Sequence, residues 1–305
     1  LRFPSKRTVL FSVAPVVLLV GALEAGGRLI PEAKDRGSLI HHETRGWTTP
    51  ANTTFFYANN SVTTNSLGLR SPEPTTAPNV WRILSLGDSS TFGHGVADHE
   101  TYTAQLAARS GADVQNAGAP GYTCAQSLDR YKELVERLQP HILLVYSLHN
   151  DMRVIESSDD FLLSRPSSTS GLVQLVALAQ RYMLARQEKP RMSTEEYAAC
   201  LKDLAKTQRA RGGSTIFITP YSDRSFRVQE SGTEERGWRR KYLNAIKKVA
   251  NKSDALHIDL HQLEWTKGAS KQDLLLDVVH PTAFGHKLVA EQIHLGIIDY
   301  YGLIF

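Results

Sequence analysis

Two cysteines in 305 residues, no Cys-x-x-Cys pair and no histidine at a zinc-like spacing from either leave no framework for a structural metal. Cys124 and Cys200 have the choice of pairing in an oxidising compartment or of standing apart as buried thiols, and their spacing does not decide between them. Charge of one sign is also scarce. The 35 Lys and Arg against 31 Asp and Glu leave a net +4, with no long basic run and no interleaving of basic and aromatic residues, which argues against nucleic acid as a partner. No internal repeat is present, so the length beyond the N-terminal segment suits one large α/β domain.

At the N-terminus Arg2, Lys6 and Arg7 precede an uncharged run over 8–23, followed by Glu24 and Arg28. A basic flank ahead of an apolar run, without a small-residue cleavage site after it, reads as an uncleaved signal anchor. The expectation is a single transmembrane helix within residues 1–30, contacting the bilayer through 8–30 and placing the rest of the chain on the periplasmic side of an inner membrane. Residues 31–79 are rich in Thr, Asn, Pro and Gly with scattered aromatics, and read as a loop-rich connector lying against the domain.

From residue 80 the pattern alternates. Hydrophobic spacing predicts strands ending at Leu86 and over 114–116, 142–146, 214–219 and 256–259, with helices over 102–109, 125–138, 194–211, 238–250 and 283–298 between and after them. Alternation of this kind builds βαβ units and a parallel sheet covered on both faces. An apolar helical stretch at about 152–190 interrupts it and reads as an insertion: a lid, a membrane-facing element, a partner surface or plain core packing.

Chemistry gathers where strands end. The apolar strand running to Leu86 stops in Gly87-Asp88-Ser89-Ser90, which presents Ser89 at the carboxyl edge of the sheet. A Gly-Asp-Ser triplet alone arises by chance in roughly one chain in ten of this length and serves as an ordinary helix cap, so it needs company. Company comes from Asp277-Val278-Val279-His280-Pro281, whose spacing lets Asp277 hold one nitrogen of His280 while the other faces Ser89. Asp-x-x-His-Pro turns up by chance in only roughly two such chains in a hundred. Backbone N–H groups of Ser89 and Gly118 and the side-chain amide of Asn150 are the candidate oxyanion donors, each following a different strand.

Together Gly87-Asp88-Ser89, Gly118, Asn150-Asp151 and Asp277-x-x-His280-Pro281 resemble the four blocks of the SGNH (GDSL-type) hydrolases over residues 80 to about 300. Asn65-Ser66-Leu67-Gly68-Leu69-Arg70 is similar to a segment of their membrane-anchored bacterial members. The resemblance implies a flavodoxin-like three-layer α/β/α sandwich with a parallel sheet, a Ser89–His280–Asp277 triad, an oxyanion hole from Ser89, Gly118 and Asn150, and no cofactor or metal. It further implies a serine esterase or deacylase acting on a lipid, glycan or small acyl ester, by hydrolysis or by transfer to another hydroxyl. One position departs from the family: Leu148 stands where a glycine is common, two residues before Asn150, and a bulkier side chain there is expected to reshape the pocket. A competing expectation makes the domain an accessory subunit of a membrane complex, with catalysis lost or secondary.

Overall fold

The computed structural model describes residues 6–28, 39–153, 190–231, 237–262, 266 and 268–302. Most of the 152–190 insertion and the start of the connector lie outside them. The chain divides into two compact units, of which the smaller holds residues 6–28 and 41–47 among those described.

The larger unit is built on five strands: β5 (Arg82–Gly87), β6 (Asp113–Asn116), β7 (Ile142–Tyr146), β8 (Ser214–Thr219) and β9 (Leu256–Asp259). They pair in the order β6-β5-β7-β8-β9, every neighbour parallel. Ahead of them the chain forms α1 (Lys6–Arg28), β1 (Ile40–His42), β2 (Gly46–Thr48), β3 (Thr54–Tyr57) and β4 (Asn60–Thr63). β1 and β2 make one two-stranded sheet, and β3 and β4 an antiparallel hairpin.

Period-two alternation decides which layer each strand residue joins. Leu84, Leu86, Leu143, Val145 and Phe217 enter one core with α4 (Cys124–Leu138), α5 (Thr194–Ala210) and α7 (Trp238–Ser253). Ile83, Leu144, Tyr146, Ile216 and Ile218 enter the other with α3 (Tyr102–Ser110) and α9 (Ala283–Tyr301). The result is a three-layer α/β/α sandwich. The remaining helices are short: α2 (Ser89–Phe92), α6 (Asp223–Ser231) and α8 (Lys271–Leu274). Local chemistry fixes the helix starts, as Thr123 with Gln126 and Ser193 with Glu196 form reciprocal capping boxes at α4 and α5.

Among the described residues no helix is long and apolar enough to cross a membrane. This corrects the expected transmembrane helix, and with it the membrane-anchored type, the bilayer contact through 8–30, the inner-membrane and periplasmic placement and the membrane subunits. The physical reason lies in length. The uncharged run of α1 covers only 8–23, between Arg7 and Glu24, and its 16 residues fall short of the ~20 apolar residues a bilayer needs.

The residues after β2 are held to the sandwich by named contacts. Asn65 Nδ2 donates to Gln115 Oε1 at 3.1 Å, Asn116 N to Ser71 Oγ at 2.7 Å, and Arg70 N to the Asn116 carbonyl at 3.1 Å. Leu148 is fully buried in the core shared with α4 and α5, together with Leu86, Met192 and Tyr197, so its bulk fills the interior.

The two cysteines are joined. Cys124 opens α4 and Cys200 lies in α5, with Cα atoms 6.2 Å apart and a sequence separation of 76. Closing a loop of that length removes conformational freedom from the unfolded chain worth about 4 kcal/mol in the chain-entropy model. The double variant Cys124→Ala/Cys200→Ala is therefore expected to unfold at lower urea concentration than the wild type, with the gap vanishing when the wild type is measured under reducing conditions.

Candidate active site

β5 is the strand at which the sheet changes direction: the chain leaves it for β6 on one side and later returns to β7 on the other. The crevice beyond the carboxyl ends of such strands is where open α/β sheets bind ligands. Gly87 ends β5, Asp88 caps α2 by accepting the Ser90 N–H at 2.9 Å, and Ser89 is the first helical residue. As that first residue, Ser89 has an N–H with no carbonyl one turn back to receive it.

His280 arrives from the far end of the chain. Its loop is closed by an antiparallel bridge between Leu275 and Pro281 and by Leu276 N donating to the His280 carbonyl at 2.8 Å. Within the loop Asp277 Oδ1 accepts the N–H groups of Val279 at 2.8 Å and His280 at 2.9 Å, an Asx turn that fixes the carboxylate. Its other oxygen, Oδ2, lies 2.6 Å from His280 Nδ1, and His280 Nε2 lies 2.8 Å from Ser89 Oγ. Three expected residues thus stand in one line.

Electrostatics suit that line. Burial works to raise the Asp277 carboxyl, but the bonds from the His280 ring and from the N–H groups of Val279 and His280 outweigh it and hold its pKa below the ordinary value. It therefore stays ionised at pH values where an ordinary aspartate already takes up a proton, and the stability this contributes is lost only as the pH falls through that lowered value.

The other expected donors are also nearby, and each already has an acceptor. Gly118 N donates to Asn116 Oδ1 at 3.0 Å. Asn150 Nδ2 donates to Asp88 Oδ2 and to the Tyr122 carbonyl, both at 3.2 Å. Asp88 therefore links α2 to Asn150, a role its ordinary capping pattern in the sequence does not reveal; burial pushes its pKa up despite the Ser90 N–H.

His94 was also missed. Its ring lies on that of His280 with centroids 4.1 Å apart and planes inclined by 22°. The available signal was its place between Gly93 and Gly95, directly after the serine motif. Among the described residues His94, Asp277 and His280 bring one potential metal-ligating atom each within 4.8 Å of one another. With the two rings nearly parallel, their in-plane lone pairs run side by side, and both nitrogens of His280 already have partners. The cluster is built as a stack rather than a chelate.

A serine facing an imidazole at the carboxyl edge of a three-layer α/β/α sandwich defines a class: this is a serine-type ester hydrolase. The model of the GDSL-like Lipase/Acylhydrolase family matches residues 85–288, and the chain belongs to that family. Curated proteins gave no match. Among solved structures it is similar to LAE5, an alpha/beta hydrolase from the metagenome of Lake Arreo, Spain, at 20% identity over 74% of this chain and 96% of that one, with a TM-score of 0.50. It is also similar to a lipase/acylhydrolase from Enterococcus faecalis (18% identity, 72% and 96% covered, TM-score 0.49). A third similar structure is a variant of Axe2, an acetyl-xylooligosaccharide esterase from Geobacillus Stearmophilus (20% identity, 73% and 94% covered, TM-score 0.49).

One neighbour of the site carries a pH signature. Asp151 is fully buried, accepts the Cys124 N–H on Oδ1 at 2.6 Å, and has no partner for Oδ2 among the described residues. Burial pushes its pKa up to about 7. The folded state holds this proton more tightly than the unfolded chain, whose Asp titrates near 4, so stability falls as the pH rises from about 4 to about 7. Asp151→Asn is expected to flatten that slope by an amount on the order of a few kcal/mol, read as the difference in urea unfolding free energy between about pH 5 and about pH 8.

Proposed function

We propose that the protein cleaves carboxylic esters by a double displacement at Ser89, with His280 as general base and acid and Asp277 as the group that orients it. The observation that carries this reading is the unbroken chain of contacts from Ser89 Oγ through His280 to Asp277 Oδ2, 2.8 and 2.6 Å long.

In the proposed sequence Ser89 Oγ attacks the ester carbonyl and its proton passes to His280 Nε2. Charge gathers on the former carbonyl oxygen. The N–H of Ser89, at the start of α2, is the donor open to receive it. Gly118 N–H and the Asn150 amide join when the full charge outcompetes the neutral oxygens of Asn116 and Tyr122, whose bonds to them are 3.0 and 3.2 Å long. The C–O bond of the leaving group then breaks, His280 returns the proton to it, and the alcohol departs. Water attacks the acyl-Ser89 ester, gives its proton to His280, and the second tetrahedral adduct collapses to release the carboxylic acid and restore the Ser89 hydroxyl.

Side chains at the rim favour an acyl group over a charged substrate at this edge. Leu276 and Val278, on either side of Asp277, are 50% and 60% exposed. Hydrolysis of short- and long-chain p-nitrophenyl esters tests the proposal, beside labelling by a serine-reactive phosphonate. Wild type is expected to turn over ester and take one label, while Ser89→Ala does neither and loses kcat by about 10⁴-fold or more. Asp277→Asn is expected to lose about 10²–10⁴-fold in kcat with KM little changed, since it disturbs the tautomer and not the binding of substrate. Labelling of the Ser89→Ala variant at the wild-type rate would move the nucleophile elsewhere.

A further inference from the structure

The hairpin of β3 and β4 and the segment ending in Arg70 lie ahead of the part of the chain that matches the family, and the reaction above leaves them without a task. Both converge on His94.

The hairpin supplies Tyr57, whose hydroxyl lies 2.9 Å from His94 Nδ1 and whose ring stands edge-on to the imidazole, 5.3 Å between centroids at 88°. Tyr57 also meets Phe92 edge-on at 5.3 Å, so its hydroxyl is aimed by packing. Arg70 supplies the loop. Its side chain is 1% exposed, with Nη1 donating to the carbonyls of Phe92 at 2.9 Å and Gly93 at 2.6 Å, Nη2 to that of Val96 at 2.7 Å, and Nε to Asp98 Oδ1 at 2.7 Å. The guanidinium thus grips the chain on both sides of His94. Asp98 Oδ2 in turn accepts the N–H of Thr63 at 3.1 Å, tying the hairpin to the same clamp.

The backbone is shaped for this one side chain. Gly93 and Gly95 take φ of +93° and +78°, and a Cβ would lie 2.8 Å from Arg70 Nη1 at the first and 2.6 Å from Leu276 Cδ1 at the second. His94 N donates to the Ser89 carbonyl at 2.9 Å, so the position of the ring is referred to the serine itself.

Two hydrogen bonds from opposite edges of an imidazole fix a line through the ring but not its roll about that line. We propose that His94 is a positioning residue for His280: kept neutral by an O–H···Nδ1 bond from Tyr57, it lies flat on His280 and fixes the roll of the ring that carries the proton between Ser89 and the leaving group. Burial, and then the charge on His280, lower the pKa of His94, while burial raises that of the Tyr57 phenol, so the donor keeps its proton and the acceptor stays uncharged. A neutral ring face accommodates the imidazolium formed in each half-reaction; a charged one would repel it.

This inference rests on the catalytic reading proposed above and is tested with the same full-length protein on p-nitrophenyl acetate. His94→Ala is expected to lower kcat by about 10–100-fold while KM stays within about twofold, because misplacement of a reacting group of this order costs that much. His94→Phe, which keeps a flat face, should recover to within about threefold of wild type, and His94→Leu, of similar bulk without one, should not. Tyr57→Phe is expected to lower kcat about two- to fivefold in the wild-type background and to have no effect in His94→Phe, since its action passes through the imidazole. Should His94→Ala not fold, the comparison of Phe with Leu carries the test alone. Equal kcat for those two variants, or an equal effect of Tyr57→Phe in both backgrounds, overturns the positioning role while the Ser89 mechanism stands. An inactive, unlabelled wild type overturns both.

Discussion

Ser89 and His280 are separated by 191 positions in sequence and by 2.8 Å in space, and that bond sets the demands on the rest of the sandwich. It requires β5 to end at the crevice edge, α2 to start at once, and the loop before α9 to return to the same edge. Each requirement is met by a local device. Asp88 caps α2, the Asx turn at Asp277 shapes the loop, and Thr282 caps α9 through the Gly285 N–H at 3.0 Å. The Ser90 hydroxyl, 3.4 Å from the Val279 carbonyl, joins the two devices directly. The sheet provides the platform, but precision at the site comes from short polar contacts made within a few residues of it.

A second set of contacts supports the first from outside. Arg70 is a buried cation each of whose three nitrogens reaches a carbonyl or a carboxylate, and burying such a charge is tolerable only with a high degree of satisfaction. Because three of its acceptors lie on either side of His94, removing the guanidinium would release the loop and leave buried carbonyls without partners. The segment 65–70 is itself a compact turn, with Asn65 Oδ1 accepting the N–H groups of Leu67 and Leu69 at 2.9 and 3.0 Å.

What could be read from the sequence was what is local in it. Strand and helix periods located the five strands and the long helices within a few residues, since burial of one face imposes the period directly. Ser89, Asp277 and His280 were legible because two of them sit three residues apart and the third follows an apolar strand. The roles of Tyr57 and His94 were not: the pairing spans 37 residues, follows no period, and involves one histidine among 11. Nor did spacing say that Cys124 and Cys200 meet, because only the packing of α4 on α5 brings them together. Hydrogen-bond partners of Gly118 and Asn150 belong to the same kind of information. Residue type announces a donor, while the acceptor it meets depends on tertiary structure. The N-terminal reading rests on a basic flank, an uncharged run over 8–23 and the lack of a cleavage site after it, but 16 uncharged residues are fewer than the ~20 a bilayer crossing needs.

The clamp formed by Arg70 also bears on where the working enzyme begins. Recognisable family sequence starts at residue 85, yet the side chains that brace the loop beside the Ser89–His280–Asp277 line come from residues 57 and 70. A fragment trimmed to the family boundary would retain every atom of the Ser89–His280–Asp277 line and lose its outer brace. The unit that holds the site in place is thus wider than the stretch that betrays its ancestry, and a chimera that grafts a foreign hydrolase core behind this leader would keep the guanidinium but lose the Phe92, Gly93 and Val96 carbonyls it grips.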